Sequence, residues 1–108
     1  MVNAATHKGW SETAAGTDSG ASATHAAETG VTHIATSISG HVDADAIITI
    51  ESPAATVLWQ SKIDISVEGT SFAFSGLFVP ASSGSVVLGK IAASSADCQV
   101  NISGFSIP

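Results

Sequence analysis

The stretch THIATSISGHVDADAIITI, residues 32–50, decides the fold class of this chain. Apolar and small polar residues alternate through its first half, which is the period of an antiparallel strand with one dry face. In that pattern Ile34 and Ile38 face the core, and His33 lies on the opposite side. The acidic segment at residues 43–45 predicts a turn, and the β-branched run that follows predicts a second, more deeply buried strand.

Further strands of the same kind continue to the C-terminal end of the chain. The strand that closes at Pro80 carries three phenylalanines, Phe72, Phe74 and Phe78, on one face. Gly104 is expected to mark a β-bulge in the last strand. The predicted strands are Thr32–Val42, Ala46–Glu51, Thr56–Ile63, Ser71–Val79, Ser85–Ala92 and Cys98–Ile107, with a weak edge strand at Ala23–Thr29.

Short strands at this spacing, with no helical pattern between them, predict an all-β protein. We expect a single antiparallel β-sandwich or jelly roll of about seven to eight strands, preceded by an extended N-terminal arm. The arm is residues 1–22, which contain no Ile, Leu or Phe, and the β-sandwich domain is residues 23–108. Trp10 is the large aromatic residue of the arm. It either packs on its own domain or anchors the arm in a neighbouring subunit.

Charge is sparse and acidic, with 9 Asp and Glu against 3 Lys and Arg and a formal net charge of −6. A nucleic-acid or anionic membrane surface would require several more cations, so neither partner is expected. Cys98 is the single cysteine, which excludes a disulfide within the chain. The N-terminal residues lack the apolar run of a signal peptide, and we expect a protein made and assembled in a reducing cytoplasm.

Four histidines raise the question of a metal site, and the sequence predicts none. His25, His33 and His41 follow one another at intervals of eight residues, which is not the short ligand spacing of zinc sites. On one strand, His33 and His41 would stand about 25 Å apart, too far to share an ion. Asp43–Asp45 lacks the further oxygen ligands of a calcium loop and is interpreted as a polar turn. The histidines are interpreted as surface or interface residues.

No residue pattern predicts catalysis. No serine lies in a Gly-x-Ser-x-Gly turn, phosphate-binding and dinucleotide motifs are absent, and the carboxylates are scattered. We therefore expect no enzyme, no catalytic residue and no cofactor. One binding alternative stays open, because jelly rolls include lectins and Trp10 and Trp59 could form a sugar platform. The chain has no Tyr and no Arg to complete such a site.

A series of short motifs follows in a distinctive order along the chain. A polar lead-in precedes the strand at residues 32–40, and an Ile-rich strand follows it. The later motifs are VLWQ at residues 57–60, FVP at residues 78–80, SSG at residues 82–84 and VNISGF at residues 100–105. In this order they resemble the β-sandwich proteins of tailed-phage virions, and they are similar to capsid decoration (cement) proteins, over roughly residues 20–107.

The resemblance implies a structural protein with no reaction of its own. Decoration proteins of this kind often form homotrimers at threefold positions, so the expected partners are other copies of the chain and the major capsid protein. The expected location is the outer surface of the virion capsid, after assembly in the host cytoplasm. A tail- or fibre-associated protein that binds host glycans, and a free lectin-like module, are the alternatives. The residues expected at interfaces are Trp10, His7, Lys8, His25 and His33.

Overall fold

The computed structural model describes residues 8–17, 20–64, 70–92 and 97–108, and in these ranges it contains nine strands and no helix. The all-β class predicted from the sequence is confirmed. The described residues therefore include no helix long and apolar enough to cross a membrane. The strands are β1 Lys8–Gly16, β2 Ala21–His25, β3 Thr32–Val42, β4 Ala46–Glu51, β5 Val57–Ile63, β6 Thr70–Phe74, β7 Val79–Pro80, β8 Val87–Ala92 and β9 Cys98–Ile107.

The nine strands form two antiparallel sheets, an arrangement consistent with a β-sandwich. One sheet has the strand order β1-β9-β3-β6, with β7 also paired to β3, and the other has the order β2-β8-β4-β5. The edges of the sandwich are thus β1 and β2 on one side, and β5 and β6 on the other. This arrangement places β1, the first strand of the described residues, against β9, the last.

Side chains from both sheets meet in one apolar core. Gly89 on β8 marks a close approach: a Cβ atom there would lie 2.9 Å from Cβ of Ile102 and 3.1 Å from Cδ1 of Ile38. Most of the core consists of β-branched residues, which suit the pleated surface of a strand. Fully buried members of this core are Ile38, Val42, Ile48, Ile50, Val87, Ile91, Val100 and Ile102.

A β-bulge in β3 changes which of its residues face the core. Ala35 pairs with Gly104 and Ser37 with Ser103, so Thr36 is the extra residue. The bulge was expected at Gly104 on β9, and the structure places the extra residue opposite it on β3. A bulge reverses the alternation of a strand, so His33 turns inward and is 0% exposed. The expectation that His33 points away from the core is therefore wrong.

The predicted long strand over residues 71–79 is divided into β6 and β7. Gly76, between them, has a φ of 71°, a left-handed conformation that favours glycine. The Leu77 N–H then donates to the carbonyl of the bulged Thr36 at 3.0 Å. Because the alternation is interrupted here, Phe78 does not join Phe72 in the core and is 68% exposed.

Part of the predicted N-terminal arm forms a strand in the structure. Lys8–Gly16 forms β1 and pairs with β9 through nine residue pairs, from Lys8↔Ser106 to Gly16↔Cys98. Trp10 is the one large apolar residue at the inward positions of β1. Side-chain burial alone is therefore small, and backbone pairing with β9 contributes to holding the strand in place. Strand β2 begins at Ala21, two residues before the predicted domain boundary. His7 and the rest of residues 1–7 lie outside the described residues.

Candidate functional site

The edge strands β1 and β2, together with the start of β3, bring aromatic, imidazole and carboxylate side chains into one group. We call this group the histidine cluster: Trp10 and Glu12 from β1, His25 from β2, Glu28 from the loop after β2, and His33 from β3. Trp10 and Glu12 alternate with exposed residues, so both point to the same side of β1. Because β1 and β3 belong to one sheet and β2 to the other, the cluster joins the two sheets.

Three aromatic rings of the cluster pack directly on one another. The Trp10 ring stacks on the His25 ring, with centroids 4.5 Å apart and planes 8° from parallel. The His33 ring meets both edge-on, at 4.4 Å from His25 and 6.0 Å from Trp10. Such stacked and T-shaped contacts contribute beyond the apolar area they bury. They also hold the two imidazoles in fixed orientations.

The two nitrogens of His25 have different surroundings. Nδ1 lies 2.7 Å from Oε2 of Glu12. An ionised carboxylate only accepts hydrogen bonds, so Nδ1 carries the proton and donates a hydrogen bond to Glu12. Nε2 lies 4.0 Å from Oε1 of Glu28, which is half-exposed. In the neutral ring this leaves the lone pair of Nε2 on the side of Glu28.

His33 is held by two hydrogen bonds in the interior. Its Nε2 donates to the Ala26 carbonyl at 2.9 Å, because a carbonyl can only accept. Its Nδ1 therefore accepts a hydrogen bond from the Ser106 hydroxyl at 2.6 Å. Both partners of this buried imidazole are neutral. Ser106 could accept as readily as donate, so the His33 proton can move to Nδ1 without loss of that bond.

The arrangement brings together ligand types that transition-metal ions prefer. His25, Glu28 and His33 each offer one ligand atom, and these three atoms all lie within 4.8 Å of one another. Imidazole and carboxylate ligands suit zinc and related divalent ions. His41 is elsewhere: its Nε2 lies 3.2 Å from Oδ1 of Asp43 in a partly exposed pair.

Of the five residues expected at interfaces, the structure brings three together inside one chain. Trp10, His25 and His33 are in mutual contact, Lys8 is exposed at the start of β1, and His7 lies outside the described residues. The sequence analysis did not single out Glu12 or Glu28. The alternation of Trp10 with Glu12 was the available signal for Glu12, because residues two apart on a strand share a face.

The two tryptophans lie on opposite sides of the sandwich. Trp10 belongs to edge strand β1, whereas Trp59 belongs to edge strand β5 and meets Phe74 at a centroid distance of 5.0 Å. Both pack against the core. They therefore do not form one shared sugar platform.

Large apolar side chains are exposed on the β5–β6 side of the molecule. Val57 and Leu58 at the start of β5 are 48% and 40% exposed, and Phe78 is in the loop before β7. Val57 pairs with Glu51 at the end of β4, and Val79 pairs with Ala35 near the start of β3. Because β3 turns directly into β4, the start of β3 and the end of β4 lie at the same end of the sandwich, and so do these side chains. We call Val57, Leu58 and Phe78 the apolar edge. Exposed apolar groups on an edge strand are typical of association surfaces.

An open groove of about 660 Å³ lies at the other end of the β2-β8-β4-β5 sheet. Lys62 and Lys90, two of the three lysines of the chain, contribute to its lining. Ile47, which is 40% exposed, adds an apolar wall, and Ser22 and Asp45 add polar groups. The groove is thus an amphipathic surface separate from the histidine cluster.

Glu51 is a buried carboxylate with a structural role. Burial raises its pKa, but the Ala55 N–H at 2.8 Å, the Thr49 hydroxyl at 2.9 Å and the charge of Lys90 outweigh burial and lower the pKa below its usual range. Ala55 has a φ of 73°, which is uncommon for a residue with a side chain. Glu51 therefore acts as the ionised acceptor that holds the turn between β4 and β5.

Comparison of the chain with protein-family models, with curated proteins and with solved structures gives no match.

Proposed function

We propose that this chain is a capsid decoration (cement) protein of a tailed phage. In this proposal it binds as a homotrimer to the major capsid protein on the outer face of the shell and ties adjacent capsomers together. The observation that carries the proposal is the apolar edge, where three large side chains on one side of a small acidic domain lie open to solvent. The order of sequence motifs that resembles decoration proteins supports the same conclusion.

We also propose that the two sheets form a jelly roll. The support is the correspondence between the two sheets. One sheet pairs β1 with β9 and β3 with β6, and the other pairs β2 with β8 and β4 with β5, so each pair in one sheet faces a pair built from the strands next to it in sequence. This is the connectivity of two interlocked Greek keys, which recur in viral capsid proteins and in lectins. The fold is therefore compatible with a virion role and with a glycan-binding role.

The apolar edge favours association with another protein. Strand β5 is the last strand of its sheet, so part of its backbone has no strand partner among the described residues. Soluble proteins protect such edges with charges, prolines or a covering segment, whereas the first two residues of β5 are Val57 and Leu58. Covering them with a subunit or a capsid protein would remove apolar surface from water and stabilise a small domain.

The charge balance is compatible with the outer face of a shell. With a net charge of −6 and no Arg, the chain would be repelled by packaged DNA. A second candidate, a tail- or fibre-associated protein that binds glycans, is favoured by the groove beside Lys62 and Lys90. A glycan array separates the two, because a decoration protein should give no signal on it.

The test is co-sedimentation of the purified protein with shells of the phage that encodes it. We expect the wild-type protein to sediment with the shells, and Leu58→Ser and Phe78→Ser to remain folded but stay in the supernatant. Gln60→Ser is the matched control, because Gln60 is an exposed polar residue on the same strand as Leu58. Failure of the wild-type protein to bind shells would overturn the proposal, as would full binding by both apolar-edge variants.

A further inference from the structure

We propose that the histidine cluster binds a divalent transition-metal ion of the zinc class through His25, Glu28 and His33. The three side chains already place one ligand atom each within 4.8 Å of the others. They come from β2, from the loop that follows it, and from β3, so the ion would connect the two sheets. The inference is independent of the virion role, since it depends on this cluster alone.

The ligand set fits zinc better than calcium or magnesium. Two imidazole nitrogens and one carboxylate oxygen match three-residue zinc sites, in which water occupies a fourth position. Calcium and magnesium prefer oxygen ligands throughout. Glu28 is half-exposed, so the fourth position of the ion would face solvent. The site needs no cysteine, which agrees with the burial of Cys98 on β9, away from the cluster.

Two further residues orient the ligands as outer partners do in known metal sites. Glu12 accepts the Nδ1–H of His25 at 2.7 Å, which leaves Nε2 as the metal-binding nitrogen. A carboxylate in that position fixes the tautomer of a ligating histidine and raises its basicity. Ser106 orients His33 in the same way. When Nε2 of His33 exchanges the Ala26 carbonyl for the ion, the ring proton moves to Nδ1, which then donates a hydrogen bond to the Ser106 hydroxyl.

The required movement is small. Ligand atoms around a tetrahedral zinc ion stand about 3.4 Å apart, given bond lengths of about 2.0–2.1 Å. The longest separation in the cluster is within 4.8 Å. Glu28 can supply part of the convergence, because its half-exposed side chain lies in the loop between β2 and β3. The His25 ring keeps its stacking on Trp10, whereas His33 exchanges its hydrogen bond to the Ala26 carbonyl for the ion.

The test is calorimetric titration of the metal-stripped, untagged protein with zinc chloride, alongside thermal unfolding with and without zinc. We expect one ion per chain and a higher unfolding temperature with zinc, because an ion that binds only the folded state stabilises it. Glu28→Gln should weaken binding at least tenfold. Glu12→Gln, which removes an outer partner, should weaken it by about 10- to 100-fold.

His41→Asn is the matched control, because His41 is a partly exposed histidine that pairs with an aspartate outside the cluster. We expect it to bind zinc as the wild-type protein does. Three results would overturn the proposal: no heat of binding and no thermal shift for the wild-type protein, equal affinity in Glu28→Gln, or an equal loss in His41→Asn. Glu28 is half-exposed, so we expect its variant to fold, which keeps the comparison decisive.

Discussion

Replacement of Gly89 by alanine tests how closely the two sheets pack. The added Cβ would stand 2.9 Å from Cβ of Ile102 and 3.1 Å from Cδ1 of Ile38. Both distances are shorter than the usual separation of packed carbon atoms, about 3.5–4.0 Å. Ile38 and Ile102 belong to the facing sheet and are buried. The new methyl group therefore has no free space, and the sheets or the isoleucines must shift.

The expected magnitude follows from two opposing terms. Overpacking a well-filled core costs about 1–3 kcal/mol. Alanine in place of glycine within a strand returns about 0.5–1 kcal/mol, because the unfolded chain loses less freedom on folding. The net destabilisation should therefore be about 1 kcal/mol, a fall in unfolding temperature of roughly 5 °C for a domain of this size.

The assay is urea denaturation followed by tryptophan fluorescence at fixed protein concentration. Gly9→Ala is the matched control: it is also a strand glycine, but a Cβ there would meet only the Gly104 carbonyl oxygen at an ordinary 3.9 Å. It should be neutral or slightly stabilising. Ile38→Val, which removes the crowded Cδ1, should cost less in the Gly89→Ala background than alone. Equal stability of Gly89→Ala and Gly9→Ala would refute the close sheet packing.

Three more predictions concern the β4–β5 turn and the buried thiol. Glu51→Gln should lower stability at pH 7 by about 1–3 kcal/mol, because the ionised acceptor of two hydrogen bonds is lost. Since the folded-state pKa of Glu51 is lowered, its contribution to the free energy of unfolding is complete above about pH 4.3 and is lost as the pH falls. The variant should therefore lose less stability than the wild-type protein on acidification, and an equal loss would contradict this. Ala55→Gly should raise the unfolding free energy by about 1 kcal/mol, because a φ of 73° strains a residue with a side chain; lower stability would refute that assignment. Burial raises the pKa of the Cys98 thiol, so iodoacetamide at pH 7.5 should label the protein only after unfolding, and rapid labelling of the native protein would contradict the burial.

The sequence predicted the bounds of the central strands well, but it predicted less well which side chains of those strands point toward the core. The bounds of β3, β4 and β9 agree with the expected ones, because their β-branched residues contrast with small and polar residues in the flanking sequence. The facing of His33 was missed because one extra residue at Thr36 reverses the alternation, and the pairing partner that shows this, Gly104, is distant in sequence. Local patterns do not reveal which distant strand supplies a partner.

The histidine cluster could be predicted only in part. The sequence analysis singled out Trp10, His25 and His33, but as contacts to other subunits. Their convergence depends on β1 lying at the edge beside β9, and β1 itself was missed because it is rich in small and polar residues. A strand of that composition is stabilised by its partner strand, which propensity alone cannot identify.

Copy number in purified virions tests the central claim most directly. Quantitative mass spectrometry of particles from the encoding phage would compare this chain with the major capsid protein. A ratio near one-to-one, or a simple fraction of it, is the result expected of a protein that decorates the whole shell. A ratio far below that, or absence of the chain from the particle, would contradict the decoration role.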